Sequence, residues 1–144
     1  MKFIWVMEVF GLANVLKVVD RRRCIGCVSC RQACARLRGE YSTAVSAIDV
    51  KTAGGFTGDF VINICRACED PACMEACKFG ALTLRKGGGV VFHRDKCEKC
   101  RACAAACSVS AIRMDSDNYP IICTHCGYCT KYCPHKCISL REVL

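Results

Sequence analysis

Seventeen cysteines in 144 residues are the side chains best placed to do chemistry in this chain. Sixteen of them fall into four runs: Cys24, Cys27, Cys30 and Cys34; Cys65, Cys68, Cys73 and Cys77; Cys97, Cys100, Cys103 and Cys107; Cys123, Cys126, Cys129 and Cys133. Three runs read CxxCxxCxxxC, and the second is widened in the middle by Glu69 to Ala72, a stretch that contains Pro71. A CxxCxxC loop wraps a cubane corner so that three thiolates reach three irons, while the fourth cysteine, after three intervening residues, turns away on a short helix to serve a second cluster. Four runs therefore point to four [4Fe–4S] clusters. Gly26 and Gly127 lie inside the loops, where a residue without a Cβ lets backbone N–H groups approach cluster sulfur.

Two other uses of cysteine fit less well. Zinc takes separated CxxC pairs and leaves no place for a third cysteine two residues on. A disulfide framework needs an oxidising compartment and gives no reason for a repeated two-residue gap. Cys137 is left over and reads as a small buried residue. His93, His125 and His135 read as surface or hydrogen-bonding groups, because sixteen thiolates already saturate four clusters.

The elements that must position these runs repeat with them. A β-rich piece precedes each run: Val15 to Val19, Phe60 to Ile64, Val90 to Phe92, and Ile121 with Ile122. Matching tails, KFGALTL, SVSAIRM and PHKCISL, follow the last three runs and put Ala81, Ala111 and Cys137 at equivalent positions. Each unit reads as strand, Cys-bearing loop with a single helical turn, then strand. Gly87 to Gly89 join Leu82–Leu84 to Val90–Phe92 as a hairpin, and AVSAIDV with DFVINI suggests another across TAGGFTG. The expected fold class is α+β, short hairpins and helices around the clusters, with residues 15–144 as one domain and residues 1–14 as an N-terminal extension.

Composition bounds the function. Cysteine-free apolar content is lean, so something besides aliphatic packing must hold the fold, and the length excludes a catalytic barrel. The formal charge of +8 would suggest nucleic acid. Four oxidised clusters with their thiolates bring about −8 and cancel it. The basic residues are dispersed apart from Arg21-Arg22-Arg23, so no nucleic-acid partner is expected. No dinucleotide or phosphate loop, activated nucleophile or carboxylate pair is recognisable, so no catalytic site is expected on this chain. With no signal sequence and no uninterrupted apolar span, the cytoplasm is the expected compartment and no membrane span is expected. The apolar stretch Phe3 to Val19 is broken by Glu8, Asn14 and Lys17, and lacks the Lys- and Arg-rich face of an interfacial anchor. Left exposed, Phe3, Ile4, Trp5, Val6, Phe10 and Leu12 would be a liability, which favours packing on this protein or on a permanent partner.

The four runs, with the second as CRACEDPACMEAC, resemble the four-cluster ferredoxin-type subunits of oxidoreductases, the dimethyl sulfoxide reductase iron–sulfur subunit family. The compact length, the segment AIDVKTAGGFTGDFVINICRACEDPAC and the RKGGGVVF hairpin look more like the small subunits accompanying tungsten-containing aldehyde oxidoreductase-type enzymes. The resemblance implies a duplicated two-[4Fe–4S] ferredoxin fold with nested pairing, run one with four and two with three. Carried over, it gives Cys24, Cys27, Cys30 and Cys133 to one cluster, and Cys123, Cys126, Cys129 and Cys34 to its neighbour. The inner pair would be Cys65, Cys68, Cys73 with Cys107, and Cys97, Cys100, Cys103 with Cys77. Spacing by itself leaves sequential pairing open, one with two and three with four. The resemblance further implies electron transfer, a tungsten- or molybdenum-pterin catalytic subunit as partner and, less directly, a flavoprotein exchanging electrons with NAD. A free soluble polyferredoxin is the competing reading. Only run four keeps a proline after its last cysteine; Ala35, Lys78 and Ser108 stand in the other three places.

Overall fold

The computed structural model describes residues 13–143 apart from 53, 55 and 57. Its strands form four two-stranded antiparallel ribbons, nested at the ends of the chain. β1 (Ala13–Val18) pairs with β8 (Ile138–Val143) in the register Val18↔Ile138, so the two ends of the described chain close on each other. Inside that closure, β2 (Asp49–Thr52) pairs with β3 (Phe60–Asn63), β4 (Leu82–Leu84) with β5 (Val90–Phe92), and β6 (Arg113–Met114) with β7 (Pro120–Ile121).

A two-stranded ribbon is marginal by itself in water. These ribbons are fastened by two small cores into which cysteine enters as an apolar residue. Leu16, Ile48, Ile64, Cys129 and Ile138 form one. Leu82, Val90, Cys103, Ile112 and Ile122 form the other. Three helices carry the third cysteine of runs one to three: α1 (Ser29–Leu37), α2 (Ala72–Glu75) and α3 (Ala102–Ala106). In run four the same place is taken by a 3-10 turn over Tyr128–Tyr132, which packs on α1.

The hairpin expected at Leu82–Leu84 and Val90–Phe92 is present with those bounds. Elsewhere the structure corrects details. The first strand begins at Ala13, so Asn14 pairs with Glu142 rather than belonging to a separate extension; residues 1–12 lie outside the described residues. Most of AVSAIDV is not strand. Thr43–Val45 is a 3-10 turn, and Ser46 Oγ donates to the Ile48 carbonyl at 2.8 Å while accepting from the Ile48 N–H at 3.2 Å. That local bonding competes with a ladder, so pairing starts only at Asp49. Run one carries a nine-residue helix rather than a single turn, because no tail strand follows Cys34 to draw the chain away. No helix among the described residues is long and apolar enough to cross a membrane.

Candidate metal centres

Each run is a stretch of backbone bent into the same shape. The residue two positions after the first cysteine is left-handed in all four runs: Gly26, Ala67, Lys99 and His125. In the three unwidened runs so is the residue after the second cysteine: Val28, Arg101 and Gly127. Alternating left- and right-handed residues turn successive N–H groups toward one concavity, the geometry that receives anionic sulfur. A left-handed residue with a Cβ is disfavoured by about 1 kcal/mol or more. Five such residues besides the two glycines recur at matched places, so the bend is common to the four runs.

The consequence is a common exposure pattern. The second cysteine of every run, Cys27, Cys68, Cys100 and Cys126, is exposed at the loop apex, whereas Cys103 and Cys129 are buried. After the last cysteine the backbone bends again, with Gly80, Ser110 and Lys136 left-handed. The next residue then turns inward: Ala81, Ala111 and Cys137 are at most 9% exposed. The Ala111 N–H donates to Cys107 Sγ and the Cys137 N–H to Cys133 Sγ, both at 3.3 Å. Cys137 therefore occupies the site of a small buried residue, as expected, although it also lines the cavity of Cys24.

Four cavities are walled by these loops. Cys24, Cys27, Cys30 and Cys133 line the first. Cys34, Cys123, Cys126 and Cys129 line the second. Cys65, Cys68, Cys73 and Cys107 line the third, which Cys123 also reaches. Cys77, Cys97, Cys100 and Cys103 line the fourth. Each trio is thus brought to the last cysteine of another run, one with four and two with three. None of the four cavities joins run one to run two.

The electrostatics follow the same grouping. Burial, followed by the sulfurs of Cys133, Cys24 and Cys27, pushes the Cys30 thiol up to about 11. Cys73 is likewise pushed up to about 11 by burial and then by Cys65 and Cys107. Cys123 and Cys129 rise to about 12, burial again first. Cys27 goes the other way, because Ser29 donates hydrogen bonds to its sulfur. The buried thiols therefore hold their protons unless a cation displaces them. Neighbouring cavities also feel one another. Cys30 raises Cys129, and Cys65 raises Cys123. Cys73, Cys77, Cys103 and Cys107 share one core. The cavities accordingly adjoin in the order Cys24, Cys123, Cys65, Cys97.

The donor set fits iron–sulfur chemistry: cysteines in every cavity, with N–H groups aimed at sulfur, including Ala47 to Cys34 at 3.3 Å and His125 to Cys123 at 3.4 Å. Among the described residues no three His, Cys, Asp or Glu side chains are arranged to hold a single metal ion. Of the histidines, His93 bonds Thr83 at 2.9 Å and His135 lines the Cys24 cavity. His125 has no exposed surface. Burial, and then the charge of Arg85, lowers its pKa to about 4, so it is neutral at pH 7. Nothing in the sequence spacing marked His125 as the buried one.

Residues 90–113, which span β5 and run three, match a family model described as a 4Fe-4S binding domain. The chain is 32% identical over 108 residues to one of the subunits of selenate reductase from Mesobacillus selenatarsenatis, covering 72% of this chain and 37% of that protein. It is 28% identical over 153 residues to the nitrate-inducible formate dehydrogenase iron-sulfur subunit of Escherichia coli, covering 85% of this chain and 52% of that one. The chain thus spans about half or less of the length of these curated relatives. Among solved structures it is similar in fold to a chain of the active site complex BamBC of benzoyl coenzyme A reductase. The TM-score is 0.53 at 18% identity, over 92% of this chain and 81% of that one. Residues 90–113 thus match a 4Fe-4S binding domain, and the curated relatives named here are subunits of a reductase and of a dehydrogenase.

Proposed function

We propose that this chain is an electron-transfer subunit carrying four [4Fe–4S] centres in a row, within a duplicated ferredoxin-type fold. The observation that carries this reading is the set of four cysteine-lined cavities adjoining in one order. Cys24, Cys27, Cys30 and Cys133 would hold the first centre, and Cys34, Cys123, Cys126 and Cys129 the second. Cys65, Cys68, Cys73 and Cys107 would hold the third, and Cys77, Cys97, Cys100 and Cys103 the fourth. Such a centre, when bound, takes up and returns one electron without breaking a bond.

What the protein supplies is position, insulation and potential. The left-handed loop residues aim N–H groups that favour added negative charge on sulfur. Leu16, Ile48 and Ile138 shield one half and Leu82, Val90 and Ile112 the other. The exposed cysteines at either end of the row, Cys27 and Cys100, leave a thin wall through which a partner could exchange electrons.

The partner we propose is a tungsten- or molybdenum-pterin catalytic subunit of the aldehyde oxidoreductase type, with a flavoprotein exchanging electrons with NAD as the second contact. The names of the relatives and the likeness in fold to a chain of the BamBC complex support a place in a larger assembly. Anaerobic purification on a tag carried by this chain tests it. A large copurifying polypeptide with tungsten or molybdenum, and about sixteen irons per copy of this chain, is expected. The chain arriving alone with its iron would make it a diffusible carrier instead.

A further inference from the structure

The two inner cavities of the row meet at a seam where one polar atom has no partner. His125 sits in run four between Cys123 and Cys126, and its ring is fully buried. Its Nδ1 accepts the Leu16 N–H of β1 at 3.1 Å, which places the ring proton on Nε2. That Nε2–H is buried and has no hydrogen-bond partner in the structure. A buried donor left unserved is costly, so an acceptor for Nε2–H is expected.

The surroundings of Nε2 indicate which acceptor it awaits. A Cβ built on Gly89 would stand 3.4 Å from Nε2, and Gly89 itself lines the Cys65 cavity. The His125 backbone N–H bonds Cys123 Sγ, the one sulfur that lines both cavities. Arg85, held by the carbonyls of Asn14 and Gly88, stands near both His125 and Cys65. The ring therefore stands between β1 and the hairpin glycine that lines the Cys65 cavity.

We infer that the His125 Nε2–H is a hydrogen-bond donor to sulfur of the centre held by Cys65, Cys68, Cys73 and Cys107, raising that centre's potential relative to its neighbour across the seam. This rests on the proposed function. A donated hydrogen bond stabilises the added negative charge of the reduced state. His125 thereby favours electron residence on the Cys65 side of the seam. Its Nδ1 contact fixes the tautomer that makes the donation available.

The test is a redox titration of the full chain, loaded with iron and sulfide and followed by electron paramagnetic resonance. In His125→Leu one midpoint should fall by about 59 mV, the equivalent of a tenfold change in a one-electron equilibrium, while the other three hold. His125→Gln, which can both accept from Leu16 and donate onward, should recover most of the shift. Four unmoved midpoints in a fully loaded His125→Leu chain would overturn the inference, as would equal shifts in the two variants. Should His125→Leu fail to load, the chain labelled with 15N-histidine in a His135→Gln background is examined by pulsed resonance. A histidine nitrogen coupled to a reduced centre supports the donor, and its absence overturns it. An unsubstituted chain that shows no four-iron signal at all would instead sink the proposed function itself.

Discussion

The outer half of the molecule, built by runs one and four, and the inner half, built by runs two and three, use one backbone path and clear space for it by opposite means. In the outer half the loop supplies the glycine and the strand supplies the bulk. A Cβ on Gly127 would stand 2.0 Å from Leu140 Cδ1, and one on Gly26 would stand 2.4 Å from the Phe60 ring. In run two the roles reverse. The loop carries Ala67, and the covering hairpin carries Gly88, where a Cβ would stand 2.3 Å from the Ala67 carbonyl oxygen. In run three the loop stays open, and Lys99 and Arg101 take left-handed backbone with their side chains in solvent. The four loops thus all carry left-handed residues, and where a neighbour closes over one of them a glycine stands on one side of the contact.

The halves differ as well in how deeply their thiols are held, and alkali should expose that most strongly. Cys30, Cys123, Cys129 and Cys137 of the outer half are pushed up to about 11 or 12, whereas in the inner half Cys73 alone reaches about 11, with Cys65 and Cys103 also raised by burial. A folded-state pKa above the unfolded value of about 9 means stability that is complete below that pH and lost as pH climbs toward 11 to 12. Each such thiol removes at most about 1.4 kcal/mol per pH unit in that window. The iron-free chain should therefore loosen first around runs one and four between pH 9 and 11, read by site-resolved hydrogen exchange. Equal loosening in both halves would erase the contrast. With metal bound the thiols are already deprotonated, and the dependence should vanish.

The halves are tied at Asp49. This buried carboxylate of β2 meets Arg31 of α1 at 3.6 Å, Lys51 at 3.2 Å and Arg113 of β6 at 3.8 Å. Arg113 also donates to the Ser46 carbonyl. Asp49→Asn leaves two partly buried guanidinium groups without their counter-charge and should cost about 3 kcal/mol, seen as an earlier denaturation midpoint of the anaerobic chain. A double variant with Arg113→Met should recover part of it. No recovery would mean that the two halves are not joined through this pair.

Next in size is Gly127→Ala, at about 2 kcal/mol from left-handed strain and overpacking together. Leu140→Ala in the same chain should relieve the packing share and leave the strain. Gly26→Ala should cost less, since the edge of the Phe60 ring can yield more readily than the branch point of Leu140.

Much of this was readable in the residues. Cysteine spacing fixes loop geometry locally, so the runs, the β4–β5 hairpin and the equivalence of Ala81, Ala111 and Cys137 could be read without a structure. The pairing of β1 with β8 could not, since it joins segments more than a hundred residues apart and leaves no local trace. The same reason hides His125. Its burial is made by Leu16 of β1 and Gly89 of the hairpin, both distant in sequence. AVSAIDV misled because alternation suggests a strand, whereas Ser46 bonds its own backbone first.

The smallest effect is the most discriminating for how these loops obtain their shape. Lys99 is left-handed and exposed, and its ammonium lies 4.4 Å from the centroid of the Tyr119 ring, with Arg94 at 3.9 Å from the same ring. Lys99→Gly relieves about 1 kcal/mol of backbone strain. It gives up about 0.5 kcal/mol of exposed cation–π contact and about as much again through the freer unfolded chain. The terms nearly cancel, so the denaturation midpoint should stay where it is. Lys99→Ala keeps the strain and loses the contact, and should fall slightly below both. A Lys99→Gly chain as damaged as Gly127→Ala would mean that run three depends on its side chain after all, and that coverage by a neighbour is not what decides where these loops need glycine.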